Sequence, residues 1–77
     1  MSREPDEAAA LRRLGDVIVR RRTVAGRTQE RVAEAAGISV QFLRRIERGT
    51  GNPSYLTLHA IAGALKVDLE TIVREAK

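Results

Sequence analysis

The chain has 77 residues, 43% of them hydrophobic, which suits one small domain and excludes a second domain or an elaborate active site. It has no Cys and a single His, His59, so neither a disulfide framework nor a zinc site can support the core, and regular helices and self-association remain. The net charge of +4 is unevenly placed: residues 12–48 carry ten Arg against four acids, between an acidic start and a neutral end, as expected of a surface facing a polyanion or of a solvated helical surface.

No stretch approaches the roughly 20 apolar residues of a membrane span, and MSREPDEAAA lacks the apolar centre of a signal peptide, so a cytoplasmic location with no membrane partner is expected. Residues 1–5 are predicted to be a flexible tail and residues 6–77 a single all-α domain, since no alternating β-branched run suggests a strand.

The first helix is predicted from Asp6 to Val24. Leu11, Leu14, Ile18 and Ala25 recur at helical spacing with Val17 beside them, and Gly26 ends it. Gly15 within it is expected to weaken it slightly. Thr28 caps a short second helix carrying Val32, Ala33 and Ala36, and Gly37 supplies the left-handed turn that follows. Ser39 caps a third helix, Val40 to Arg48, whose Leu43 and Ile46 share a face, and Gly49 stops it. After the loop from Thr50 to Pro53, Ser54 opens a fourth helix with Tyr55, Leu58, Ile61, Ala62 and Leu65 inward; Gly63 within it is a second weak point. Asp68 is predicted to cap a fifth helix bearing Leu69, Ile72 and Val73.

Residues 28–48 are two short helices joined by a tight glycine turn. In a helix-turn-helix the first helix crosses the DNA backbone and the second enters the major groove. The close crossing needs a small residue and a flexible turn, and Ala33 and Gly37 stand where these belong, although an ordinary helical hairpin could share both.

Over residues 14–73 the pattern LG..I...R...G.TQE..A...GIS...L..IERG..NPS...L..IA.AL.V....IV resembles the lambda-repressor-like (Cro/XRE) helix-turn-helix family. The resemblance implies a compact five-helix lambda-repressor-like DNA-binding domain. It also implies a sequence-specific transcriptional regulator, a repressor or restriction-modification-type controller, that binds double-stranded DNA at a palindromic operator as a homodimer. An antitoxin-type regulator that also binds a toxin is the alternative, ranked lower because only a short acidic tail precedes the domain; a helical protein-binding adaptor is a further one.

By position in that family, Val40, Gln41 and Arg45 are expected to read bases, with Arg44 beside them touching base or phosphate. Gln41 suits adenine, Arg45 suits guanine, and Val40 suits a thymine methyl. Gln29, Ser39 and Asn52 are expected at phosphate, and Ser39 also as a cap. Arg22 and Glu47 match an internal ion pair, and Phe42 is expected to pack at the helix edge. Arg12, Arg13, Arg20, Arg21 and Arg27 are candidate phosphate contacts among which the sequence does not choose. Leu69 and Val73 lie on a side of the fifth helix different from Ile72, and Leu56 stands where relatives are usually polar; the three are expected at a dimer interface unless they complete the core.

Two departures stand out. Thr50-Gly51 replaces the basic residues frequent in the relatives' loop, and Lys66 replaces a glycine, so a left-handed Lys is expected to carry strain. His59 reads as a surface residue. With no Cys nucleophile, no His paired with a carboxylate and no glycine-rich phosphate loop, neither an enzyme nor a cofactor or metal is expected, and no small-molecule effector is evident.

Overall fold

Three of the helix starts are made by one hydroxyl each. Thr28, Ser39 and Ser54 all have extended backbones, and their side-chain oxygens accept from the N–H groups of Arg31 at 3.1 Å, Phe42 at 3.0 Å and Thr57 at 3.1 Å. These caps start α2 (Gln29–Ala36), α3 (Val40–Arg48) and α4 (Tyr55–Ala64), flanked by the long α1 (Glu4–Val24) and the short α5 (Leu69–Glu75). The structure, a computed structural model, describes the backbone of residues 4–77 and the side chains of residues 6–77.

Helix α1 begins two residues earlier than the spacing predicts, so the expected tail 1–5 loses Glu4 and Pro5; residues 1–3 lie outside the described residues. Proline has no N–H to lose in the first turn, where none is needed. At α5 the expected cap is not made. Asp68 occupies the N-cap position with an extended backbone, but its side chain makes no capping hydrogen bond. The helix is held from outside instead: Arg13 Nε donates to Ala76 O at 3.0 Å, and Arg21 of α1 pairs with Glu75.

One fully buried aliphatic side chain or more comes from every helix: Ile18 from α1, Val32 from α2, Leu43 and Ile46 from α3, Ile61 from α4 and Ile72 from α5. They form a single core in which α1 packs on α3 and α5, α2 on α3 and α4, and α4 on α5. Two residues expected on inward faces are exposed. Ala25 lies one residue past the end of α1, and Tyr55, in the first position of α4, is exposed beside the ring of His59, centroids 6.2 Å apart. Periodicity assigns a face and not how far along it the neighbouring helices extend.

Gly37 has φ 72° at the turn between α2 and α3, and Lys66 takes up the left-handed conformation at φ 60° with the strain its side chain brings. Gly15 matters for a different reason than its helix propensity. A Cβ there would lie 2.6 Å from the carbonyl oxygens of both Ile46 and Glu47, so α1 crosses the end of α3 at a distance only glycine permits. Gly63 has no such role, since nothing lies within 4 Å of an added Cβ.

The two helical glycines should therefore respond to alanine with opposite sign. Gly63→Ala should stabilise the fold by about 0.5–1 kcal/mol through reduced chain entropy. Gly15→Ala should destabilise it by about 1–3 kcal/mol through overpacking. Urea denaturation of both variants checks this, and a gain for Gly15→Ala would contradict the close crossing.

Candidate nucleic-acid interface

The buried side of α3 decides what its other side presents. Leu43 and Ile46 are fully inside, so Gln41, Arg45 and Arg48, spaced by four and three residues, form one outward stripe. Among the described residues no side-chain hydrogen bond or ion pair engages any of the three. Arg45 lies with its guanidinium carbon 5.4 Å from the centroid of the Phe42 ring, a cation–π contact within one turn. Phe42 is itself half-buried against the core, at the edge of the helix. Val40 is also half-buried there, so only part of its side chain faces out with the stripe.

The inner end of α3 carries a charge. The Glu47 side chain is only 4% exposed, and its carboxylate receives three donors. Arg22 binds it with both arms, Nε to Oε2 at 2.7 Å and Nη2 to Oε1 at 3.1 Å, and Gln29 Nε2 donates to Oε1 at 2.8 Å. Arg22 Nη1 also donates to Arg27 O at 3.0 Å, tying the turn after α1 to the same point. Each donor is charged or a primary amide, which offsets much of the cost of taking the carboxylate out of water. Among the described residues, no buried side-chain polar atom lacks a hydrogen-bond partner.

This arrangement changes the surroundings of Gln29, expected at phosphate. One amide hydrogen is spent on Glu47, and its Oε1 accepts from Arg44 Nε at 3.1 Å, so the second amide hydrogen is what remains for a ligand. Arg44 continues the chain to Glu30, Nη2 to Oε2 at 3.1 Å. Ser39 accepts from Phe42 N–H and keeps its own hydroxyl hydrogen. Asn52 is exposed beside Ala10 and Leu11 of α1, and its side chain makes no hydrogen bond among the described residues.

The five arginines expected as candidate phosphate contacts separate into two groups. Arg13, Arg20 and Arg21 turn toward α5: Arg13 binds Ala76 O, Arg20 lies 3.7 Å from Glu75, and Arg21 Nε donates to Glu75 Oε1 at 3.0 Å. Hydrogen bonding from Arg21 holds the Glu75 carboxyl below its usual range and raises Arg21 in turn. Arg12 lines a shallow groove with Arg48, which Arg13 and Asp16 also border, and Arg27, in the turn after α1, lines another with Thr28 and Arg31 at the start of α2. Arg31 and Arg48 were not singled out by the sequence; the spacing of Arg48 from Gln41 by seven residues was the available signal.

The three apolar residues expected at a dimer interface also separate. Leu56 is 74% and Val73 48% exposed, whereas Leu69 is half-buried and packs against the core. Its place at the first position of α5 turns it toward the bundle, so it completes the core as well as bordering the surface. Among the described residues no group of His, Asp and Glu could hold a metal ion, and no helix is long and apolar enough to cross a membrane.

A sequence profile of the helix-turn-helix family matches residues 18–72. The chain is 48% identical over 48 residues to the immunity repressor protein of Bacillus phage phi105, a match covering 62% of this chain and 33% of the repressor, so it spans about a third of that relative's length. Among solved structures, the clp gene regulator ClgR from Corynebacterium glutamicum superposes with a TM-score of 0.84 at 28% identity, over 87% of this chain and 71% of that one. The restriction-modification controller protein C.AhdI from Aeromonas hydrophila superposes with a TM-score of 0.79 at 27% identity, over 80% of this chain and 94% of that one.

Removing one partner of the buried pair should cost far more than removing both. Glu47→Ala leaves Arg22 without its carboxylate and should lower stability by about 3 kcal/mol or more, and Arg22→Met with Glu47→Leu should recover much of that loss. The thermal midpoints of the two variants decide it: a Glu47→Ala midpoint within about a degree of wild type would mean the pair contributes no more than an exposed one.

Proposed function

Because the chain belongs to the helix-turn-helix family, we propose that it is a sequence-specific DNA-binding transcriptional regulator of the repressor or restriction-modification-controller kind, acting in the cytoplasm without enzymatic activity. The observation that carries this reading is the outward stripe of α3: among the described residues the side chains of Gln41 and Arg45 make no hydrogen bond, on a helix whose opposite face is locked in the core. A side chain already hydrogen-bonded to the protein would have to exchange that partner for a base. These two do not.

In this mode α2 lies across the DNA backbone and α3 enters the major groove. Gln41 pairs with adenine N6 and N7, Arg45 with guanine O6 and N7, and the exposed part of Val40 reaches a thymine methyl. The Phe42 ring restrains Arg45 and lowers the entropy it loses on pairing with a base. Phosphates are held by the Ser39 hydroxyl, Asn52, the remaining amide hydrogen of Gln29 and the free N–H groups at the start of α2, with Arg27 and Arg31 adding charge nearby.

A domain of this size contacts too few base pairs for tight specific binding, which supports a homodimer reading two half-sites. Leu56 on α4 and Val73 on α5 are the exposed apolar side chains that such a pair would cover. Twofold symmetry then sets the recognition helices about 34–36 Å apart, so the operator is a near-palindrome with half-sites about one DNA turn apart or a multiple of it.

Selection of bound duplexes from a random pool tests the reading directly, and it should return such a palindrome; a pool that is never enriched would refute it. On the selected site, Arg45→Ala should cost about 1–3 kcal/mol and relax one base position, with a smaller effect on random DNA.

For the dimer, Leu56→Glu combined with Val73→Glu should sediment as a folded monomer with strongly weakened operator binding. A variant that stays dimeric would exclude this surface.

A further inference from the structure

The three arginines of α3 are not equivalent. The Arg45 guanidinium lies over the Phe42 ring and, among the described residues, neither Arg45 nor Arg48 has a side-chain hydrogen bond or ion pair, whereas Arg44 is bound at two points. Its Nε donates to Gln29 Oε1 and its Nη2 to Glu30 Oε2, each at 3.1 Å. The two contacts differ in kind. Gln29 is anchored in turn on the buried Glu47, so the bond at Nε continues a fixed internal chain. Glu30 is 65% exposed and, among the described residues, its side chain makes no other hydrogen bond or ion pair, so the bond at Nη2 can open without disturbing the core.

The place of this pair gives it a consequence. Glu30 lies in the first turn of α2, the end of that helix which the DNA-binding reading sets against a phosphate. A carboxylate and a phosphate present the same kind of acceptor to a guanidinium. Of the five N–H groups of Arg44, two are used, and those on Nη1 and the second on Nη2 lie on the side away from Gln29.

We propose that Glu30 is a built-in competitor of the DNA backbone for Arg44: it holds Nη2 in the free protein, and binding exchanges this carboxylate for a phosphate while Gln29 keeps Nε in place. This rests on the DNA-binding reading above. The exchange replaces one ion pair by another and leaves a carboxylate near the phosphates, so the phosphate contact of Arg44 adds less affinity than an unpaired arginine would. The penalty falls alike on every sequence, because phosphates carry none. Arg44 is thereby a backbone contact, and Glu30 is a positioning residue that acts through it.

A double-mutant cycle on one random-sequence duplex, titrated by fluorescence anisotropy over a range of salt, tests this with wild type, Glu30→Gln, Arg44→Gln and the double variant. Glu30→Gln should tighten binding several-fold when Arg44 is present and by less than about twofold when it is not. Arg44→Gln should weaken binding and reduce the slope of log K against log salt by about 1. Thermal midpoints of all four proteins verify that each is folded. An equal gain from Glu30→Gln in both backgrounds would make Glu30 a general repulsive charge, and a loss would make it a productive support for Arg44; either overturns the competition. Wild type that binds no duplex even at low salt would overturn the DNA-binding reading itself, whereas binding without coupling overturns the competition alone.

Discussion

The carboxylate of Glu47 is the point on which the arrangement of the first three helices depends. It belongs to α3, yet its three donors come from α1 and α2, and Arg22 extends the same knot to the backbone of Arg27. A buried charge tolerates little displacement of its partners, because each lost bond leaves it unpaired in a medium of low dielectric. Helix α3 is therefore set in angle and depth against both neighbours. Gly15 allows this, since α1 reaches the backbone of Ile46 and Glu47 closely enough for Arg22, two turns further along α1, to reach the carboxylate.

The outer face of α3 inherits its order from that inner one. The chain of bonds runs from Glu47 through Gln29 to Arg44 and ends at exposed Glu30, so a buried charge is connected to the protein surface in three steps. Gln41 and Arg45, a short distance along the same helix, stand outside it. One helix thus carries the two side chains proposed to read bases beside one whose geometry is already committed.

Charge in the sequence and charge at the candidate interface are different quantities. Ten arginines between residues 12 and 48 suggest a broad basic face, but Arg22 is consumed inside, and Arg13, Arg20 and Arg21 fasten α5. That fastening explains how a seven-residue helix without a side-chain cap is retained at the end of the chain. What remains toward the α2–α3 side is a smaller set: Arg12, Arg27, Arg31, Arg45 and Arg48, with Arg44 partly neutralised by Glu30.

The caps at Thr28, Ser39 and Ser54, the left-handed turn at Gly37 and the spacing of Val32, Leu43, Ile46 and Ile61 were all legible in the sequence, because each depends on residues within one or two helical turns. Tertiary structure decided the rest. Whether Gly15 weakens a helix or permits a crossing, whether Leu69 borders a surface or closes the core, whether Asp68 caps, and which arginines of α1 remain unpaired all depend on elements distant in the chain. Glu30 and Arg44 are 14 residues apart on different helices. Local periodicity assigns each a face, and only the packing angle between those helices, set by the buried Glu47, brings the two charges within hydrogen-bonding distance.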